Sequence, residues 1–433
     1  MLNIRFSKKR YIHTLIPWVT QKNNNFLKIK HANDCFLYTK DNRKIIDFTS
    51  GLMVVNLGHN NKYIINGIKK HLKTGISYTN SKFTTNYRDQ LSDKLINITK
   101  FTNGKVFYTN AGADANETAI FIANEYHFNK GFKRKNKILS FEKSFHGGST
   151  LISSLLSGDP RSDNKRNFYS LPINPIMENP SLDDNGVSSL NQIEKLFRFN
   201  DDISSIIIEG SSGSAGCFLY PINYLNLLYG LCKKYNILMI CDEVMSGCGR
   251  TGHFYAYMNS NIKPDIITSA KGLTCGYSQL GAVIINEKIS EMYNDKPFKN
   301  GLTYFAHPLS CVVANKCIDL YLENNQEIIK YANLKGIFMN KLGQKIAEND
   351  IVNEYRSNGL LGCIELNIKD KKVLNKINNE LLEKNIFCFM RENYIFTAPP
   401  LTISLNLIEQ TMDKINKRSE EHTSELQSPD HLV

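Results

Sequence analysis

No stretch of the 433-residue sequence stays apolar for the roughly 18 residues that a membrane-spanning helix needs. The longest runs, 237–241 and 280–285, are strand-sized. Cys-x-x-Cys pairs are missing although there are ten cysteines, and with them goes the usual metal-ligand spacing. Lys8, Lys9 and Arg10 are followed by no apolar run of signal-peptide length, so the start reads as ordinary. A long chain without an export signal is expected to keep its thiols reduced in the cytoplasm. Internal repeats and low-complexity linkers are also absent, which removes solenoids and arrays. The formal charge of +12 comes from 53 Lys and Arg against 41 Asp and Glu. These are scattered, with no basic stripe or tail, and Asn, Ile and Lys are overused throughout, as in an AT-rich genome. Neither a nucleic-acid nor a membrane partner is expected.

What remains is ordinary globular material, 42% hydrophobic and 22% charged, long enough for two or three domains. From 104 to 283, short β-branched or aromatic runs alternate with longer amphipathic ones. Residues 105–109, 137–141, 203–209, 237–242 and 265–269 read as strands. Ala115, Ala119, Ile122 and Tyr126 repeat at helical spacing, as do Tyr224, Leu227 and Leu231. That alternation predicts an α/β fold, a mainly parallel sheet between helices. After Pro308 the pattern turns helical, then strand-like near 361–366 and 394–397, which reads as a smaller α+β domain shared with the N-terminal segment.

The chemistry begins at the end of the 237–242 strand. An acidic residue such as Asp242, at the carboxyl end of a buried parallel strand, points into the crevice where open α/β sheets bind ligands. A lone Asp there is more often a cap. About thirty residues on, the next strand ends in Ala270-Lys271-Gly272, where a lysine can present its amine to the same crevice. Desolvation or a neighbouring cation would lower its pKa and make it nucleophilic toward a carbonyl. An amine for a Schiff base together with a carboxylate for a protonated pyridine nitrogen is the pair that pyridoxal phosphate (PLP) chemistry uses. A phosphate cradle is available where the first strand runs into Asn110-Ala111-Gly112-Ala113 and a helix. Phe145, in Phe145-His146-Gly147-Gly148, offers a ring to stack on a flat heterocycle. One motif competes. Gly247, Gly249 and Gly252 match Gly-x-Gly-x-x-Gly, but they begin too far past the strand, and Asn259, Ser260 and Pro264 leave little room for the long helix a nicotinamide cofactor requires.

In this order the pieces resemble a class III aminotransferase of the ω-amino acid:pyruvate type, a PLP enzyme of fold type I. The resemblance covers most of residues 10–417. It is densest over 241–281, with support from TNAGADANE at 109–117, FHGG at 145–148, GLTYFAHPL at 301–309 and APPL at 398–401. It implies a large domain with a mainly parallel seven-stranded sheet between helices, plus a smaller α+β domain. The expected division is a 1–55 arm joined to the small domain, 56–310 as the large cofactor domain and 311–417 as the small one. It also implies that Lys271 forms the Schiff base and shuttles the proton, while Asp242 pairs with the pyridinium. Val244 and Phe145 would sandwich the ring, beside His146. Gly112 and Ala113 would take the phosphate, and Thr303 would reach the phosphate of a neighbouring subunit, making a homodimer. Glu209 resembles the active-site glutamate, although Gly210 stands where the family usually has proline. Arg391 would bind substrate carboxylates through its planar fork, and Trp18 would line the substrate pocket. No metal is implied.

The activity implied is ping-pong transfer of an amino group from an ω-amino donor, taurine- or β-alanine-like, to a 2-oxo acid such as pyruvate. Same-fold aminomutases and decarboxylating enzymes share these residues, and an inactive cofactor-binding or dimerising chain would keep them too. Finally, RSEEHTSELQSPDHLV at 418–433 resembles a translated sequencing adapter. It is expected to hang loosely, with the last helix, beginning near Leu407, cut short and native sequence missing beyond the junction.

Overall fold

A computed structural model describes residues 14–18, 26–158 and 176–426, with side chains described as far as 417. The basic N-terminal residues 8–10 and the last seven residues of the tail lie outside the described part. Fifteen strands appear in it: β1 Ile29–Asn33, β2 Phe36–Thr39, β3 Lys44–Asp47, β4 Lys105–Thr109, β5 Lys137–Phe141, β6 Ile176–Met177, β7 Ile203–Glu209, β8 Leu238–Asp242, β9 Ile266–Ser269, β10 Gly281–Ile285, β11 Val352–Asn358, β12 Leu361–Leu366, β13 Ile386–Phe387, β14 Met390–Arg391 and β15 Tyr394–Thr397.

Seven of them form the large sheet, in the order β4-β10-β9-β8-β7-β5-β6. Strands β7, β8, β9 and β10 are buried along their whole length. Their Ile-, Leu- and Val-rich runs are continuous rather than alternating, because helices cover both faces. Only β10 runs against the rest, antiparallel to β4 on one side and β9 on the other. The pairings Glu209 with Asp242, Asp242 with Thr268, and Gly281 with Thr109 bring the ends of four parallel strands level at one edge.

The helix Gly112–Asn129 buries Ala115, Ala119, Ile122 and Tyr126 against this sheet, as their spacing predicts. The helix Tyr224–Lys234 also forms, but on another face: Tyr224, Leu225, Leu228 and Cys232 are buried, while Leu227 is 54% exposed. Leucines all round that helix allow two apolar faces by spacing alone, and packing selects between them.

Two four-stranded sheets complete the architecture. One is β11-β12-β15-β14; the other, β1-β2-β3-β13, joins the N-terminal segment to the C-terminal part through the parallel pair β3 and β13. The helical stretch Pro308–Ile346, broken at Glu323–Gln326, packs against both the large sheet's helices and β11. The last helix begins at Leu405, close to the expected Leu407, and its backbone continues to Leu426. Residues 418–426 contain neither Gly nor Pro, so nothing local ends the helix there. All ten cysteines are buried and unpaired. Among the described residues no helix is long and apolar enough to cross a membrane, and no cluster of His, Cys, Asp or Glu could hold a metal ion.

Candidate active site

The level strand ends open onto a cavity of about 980 Å³, at the upper end of the size usual for small-molecule sites. Its floor comes from the turns after β4, β7, β8 and β9. Lys271 follows β9 after Ala270 alone, entering a single turn of 3-10 helix at φ +44. Gly112 opens the helix after β4, whose first turn has no side-chain cap, so its N–H groups and the positive end of the dipole face the cavity. A Cβ at Gly112 would lie 2.6 Å from a methyl carbon of Val244. Glycine there is what lets the Val244 side chain and the helix start approach each other.

Asp242 is buried and held from three directions. Its Oδ2 accepts from His146 Nδ1 at 2.8 Å and from Asn116 Nδ2 at 2.7 Å, and its Oδ1 accepts from the Val244 amide at 3.0 Å. Asn116 is oriented in turn by Thr268, which donates to its Oδ1 at 2.6 Å, and by the His146 carbonyl at 2.7 Å. The carboxylate fixes the His146 tautomer with hydrogen on Nδ1. Nε2 of that buried ring finds no hydrogen-bond partner among the described residues. Asn116 and Thr268 were not singled out from the sequence. The signal was available: Asn116 sits one helical turn inside the Gly112 helix, on the face that meets β8 and β9.

Glu209 also lines the cavity, but its oxygens are engaged locally. Oε1 accepts from the Phe145 amide at 3.0 Å and Ser214 Oγ at 2.6 Å, and Oε2 from the Gly213 amide at 2.8 Å. It braces the loop that carries Phe145. Gly210 next to it donates its N–H to the Asp242 carbonyl at 3.1 Å, a bond proline could not make. Glu243, completely buried beyond it, has its carboxyl pushed up to about 7 by burial.

The rim is apolar: Leu52 and Met53 from the N-terminal turn, with Phe389 and Phe396 from the C-terminal strands, and Arg391 among them. Trp18 lies at the mouth, 57% exposed, close enough to Phe145 that a Cβ on Gly148 would touch both rings at about 3.6 Å. Thus Lys271, Asp242, Gly112, Ala113, Phe145, His146, Glu209, Val244, Trp18 and Arg391 all line one cavity. Thr303 does not; it is exposed, and its carbonyl accepts from Tyr78 Oη at 2.8 Å. Gly247, Gly249 and Gly252 lie in tight turns followed only by the 3-10 stretch Ala256–Asn259, so the helix a dinucleotide needs is not there.

The donor set fits PLP. A lysine, a buried carboxylate clamped from behind, a bare helix N-terminus and an aromatic ring meet in one space, with a glycine where a Cβ would collide. A family model described as aminotransferase class-III matches residues 19–418. The acetylornithine aminotransferase of Aquifex aeolicus (strain VF5) is 32% identical over 294 residues, covering 68% of this chain and 73% of the relative. A probable mitochondrial ornithine aminotransferase of Caenorhabditis elegans is 29% identical over 393 residues, covering 90% and 88%. Among solved structures, a taurine:2-oxoglutarate aminotransferase from Bifidobacterium kashiwanohense, in complex with PLP and glutamate, superimposes with a TM-score of 0.87 at 29% identity. That match covers 95% of this chain and 96% of the other. The sheet order, the cavity and these matches agree: the chain belongs to the class III aminotransferases, fold type I enzymes that use PLP to move an amino group from an amine donor to an oxo acid.

Proposed function

We propose that the donor is an ω-amino acid, taurine- or β-alanine-like, and the acceptor a 2-oxo acid such as pyruvate, in a ping-pong cycle. The observation that carries this reading is the lining of one cavity, which brings the Lys271 amine and the Asp242 carboxylate together with apolar Leu52, Met53, Phe389 and Phe396 and with the Arg391 guanidinium. A substrate that carries both an amine and an acid group suits that lining, since the amine can meet Lys271 and a planar guanidinium suits a carboxylate or sulfonate. The similarity to a taurine:2-oxoglutarate enzyme supports it.

PLP, when bound, supplies an electron sink through its protonated ring. Lys271 would hold it through Nζ, the group that would also carry the proton of the donor's amine-bearing carbon. Asp242 would keep the ring nitrogen protonated, and His146 and Asn116 hold its carboxylate in place. Gly112 and Ala113 bind the phosphate through their amides. Val244 and Phe145 would cover the ring, and Glu209 fixes Phe145 through its amide. Trp18 closes the mouth over the substrate. Thr303 completes the phosphate site of a second copy, so the active unit is a homodimer. The exposure of Thr303 outside its own cavity and of Tyr78 and Tyr304 beside it supports that assignment. Ten buried unpaired cysteines accord with a cytoplasmic location.

The test is the visible absorption of the PLP-loaded protein before and after taurine, β-alanine and longer ω-amino acids, with keto product and released carbon dioxide measured. Loss of the lysine-bound cofactor band with keto product and no carbon dioxide is expected. A band that ignores every ω-amino donor overturns the donor class, and carbon dioxide release overturns transamination of that donor. Lys271→Ala is expected to lose turnover by more than the 10²–10⁴-fold, roughly, of a positioned base while still binding PLP. Normal turnover by that variant refutes the assignment.

A further inference from the structure

The glycine motif that lacks a long helix behind it carries Arg250, whose side chain is completely buried. Among the described residues no carboxylate lies within ion-pair distance of it. Its two terminal nitrogens donate to neutral acceptors instead, while the buried Nε finds no hydrogen-bond partner among the described residues. Nη2 donates to Asn56 Oδ1 at 2.6 Å and Ser50 Oγ at 3.2 Å, and Nη1 to the Leu360 carbonyl at 3.1 Å and the Pro399 carbonyl. The backbone repeats the connection, with Leu360 N on the Arg250 carbonyl at 3.0 Å and Asn56 Nδ2 on the Cys248 carbonyl at 3.0 Å.

These acceptors come from three segments far apart in the chain, and each leads into the rim of the cavity or supports it. Ser50 begins the turn that presents Leu52 and Met53, and Pro399 closely follows Phe396. The turn does not hold its own shape, since Ser50, Gly51 and Met53 have φ of +50, +67 and +53. Such backbone persists only where the surroundings over-determine it. Ser50 Oγ also donates to the Ala398 carbonyl at 2.7 Å, tying the two rim segments to each other. Only a planar fork can serve two acceptors from each terminal nitrogen in this way; a lysine has one nitrogen to offer.

We propose that Arg250 is a positioning residue that sets the substrate-facing wall, indexing the Leu52–Met53 turn and the strand end at Phe396 to the floor that carries Asp242 and Lys271. This rests on reading that wall as the substrate side. The experiment compares PLP-loaded wild type with Arg250→Lys and with Asn56→Ala, which removes one acceptor of Nη2. The expected result is an unchanged cofactor spectrum and PLP affinity, with the half-saturating donor concentration raised about tenfold, the size of one lost hydrogen bond. Amide hydrogen exchange is expected to quicken over 50–56 and 396–401 and to stay unchanged over 109–117. Donor saturation and exchange at wild-type values overturn the proposal, as does a fall in PLP affinity in step with donor affinity, which marks a general structural role. If Arg250→Lys does not fold, Asn56→Ala decides by the same split, on a smaller scale. If wild type accepts no ω-amino donor, the functional reading fails by itself, and the exchange pattern still decides on Arg250.

Discussion

Replacing Gly210 by proline is expected to damage this protein. An added Cβ at Gly210 would stand 2.0 Å from Glu243 Oε1 and 2.6 Å from its Cδ. Glu243 cannot swing away freely, because it accepts from Ser246 Oγ at 2.7 Å, the Ala256 amide at 2.9 Å and the Tyr257 amide at 2.8 Å. Gly210→Ala therefore carries an overpacking cost of about 1–3 kcal/mol. Leaving one of those buried donors unmatched adds about 1–3 kcal/mol more. Gly210→Pro also deletes the N–H that binds the Asp242 carbonyl, worth about a further 1 kcal/mol. Unfolding by urea, followed by circular dichroism at fixed PLP, is expected to show both variants destabilised, proline more than alanine. A Gly210→Pro variant within about 0.5 kcal/mol of wild type would refute the reasoning and mean that Glu243 relocates without loss.

Glu243 itself supplies a pH signature. Its folded-state pKa, about 7, lies above the ordinary carboxyl value of 4.5, so the folded chain holds a proton the unfolded chain has lost between those values. Stability from this group is therefore fully present below about 4.5 and declines as pH rises toward 7. His127, pushed down to about 4 by burial, contributes the opposite slope between about 4 and 6.5. The signature must be read as the difference between wild type and Glu243→Gln, and identical slopes for the two would exclude it. Asn116→Ala, which strips one donor from Asp242 and strands the Thr268 hydroxyl, is expected to slow the donor half-reaction by about 10–100-fold, the worth of one charge-assisted bond. Single-turnover kinetics at saturating donor checks this; an unchanged rate would make Asn116 a packing residue.

Much of the large sheet was legible because its strands are buried on both faces. Runs such as ISSIIIE at 203–209 and LMICD at 238–242 carry apolar or small residues without interruption. Lys271 and Asp242 could be placed because strand ends declare themselves by the change in pattern. The clamp behind Asp242 was not legible. Asn116 and Thr268 look like any polar residue on a helix or strand until the sheet brings residues more than a hundred positions apart into contact. The face of the Tyr224–Lys234 helix failed for a related reason, since leucines on both sides leave the choice to tertiary packing. Arg250 was read as part of a nucleotide decoy, because nothing local distinguishes a buried guanidinium from a solvated one.

Strand β10 has a consequence for how the enzyme assembles itself. Among the described residues it is the only strand between β4, which ends at the phosphate cradle, and β9, which ends two residues before Lys271. It enters the sheet from the cavity edge, with Gly281 opposite Thr109 and Ala282 opposite Ser269. Until it inserts, the two halves of the cofactor's seat belong to unjoined parts of the chain, and closing so long a loop is slow. On refolding, helical signal is therefore expected to return well before the capacity to bind PLP, which would appear together with protection of the β10 amides.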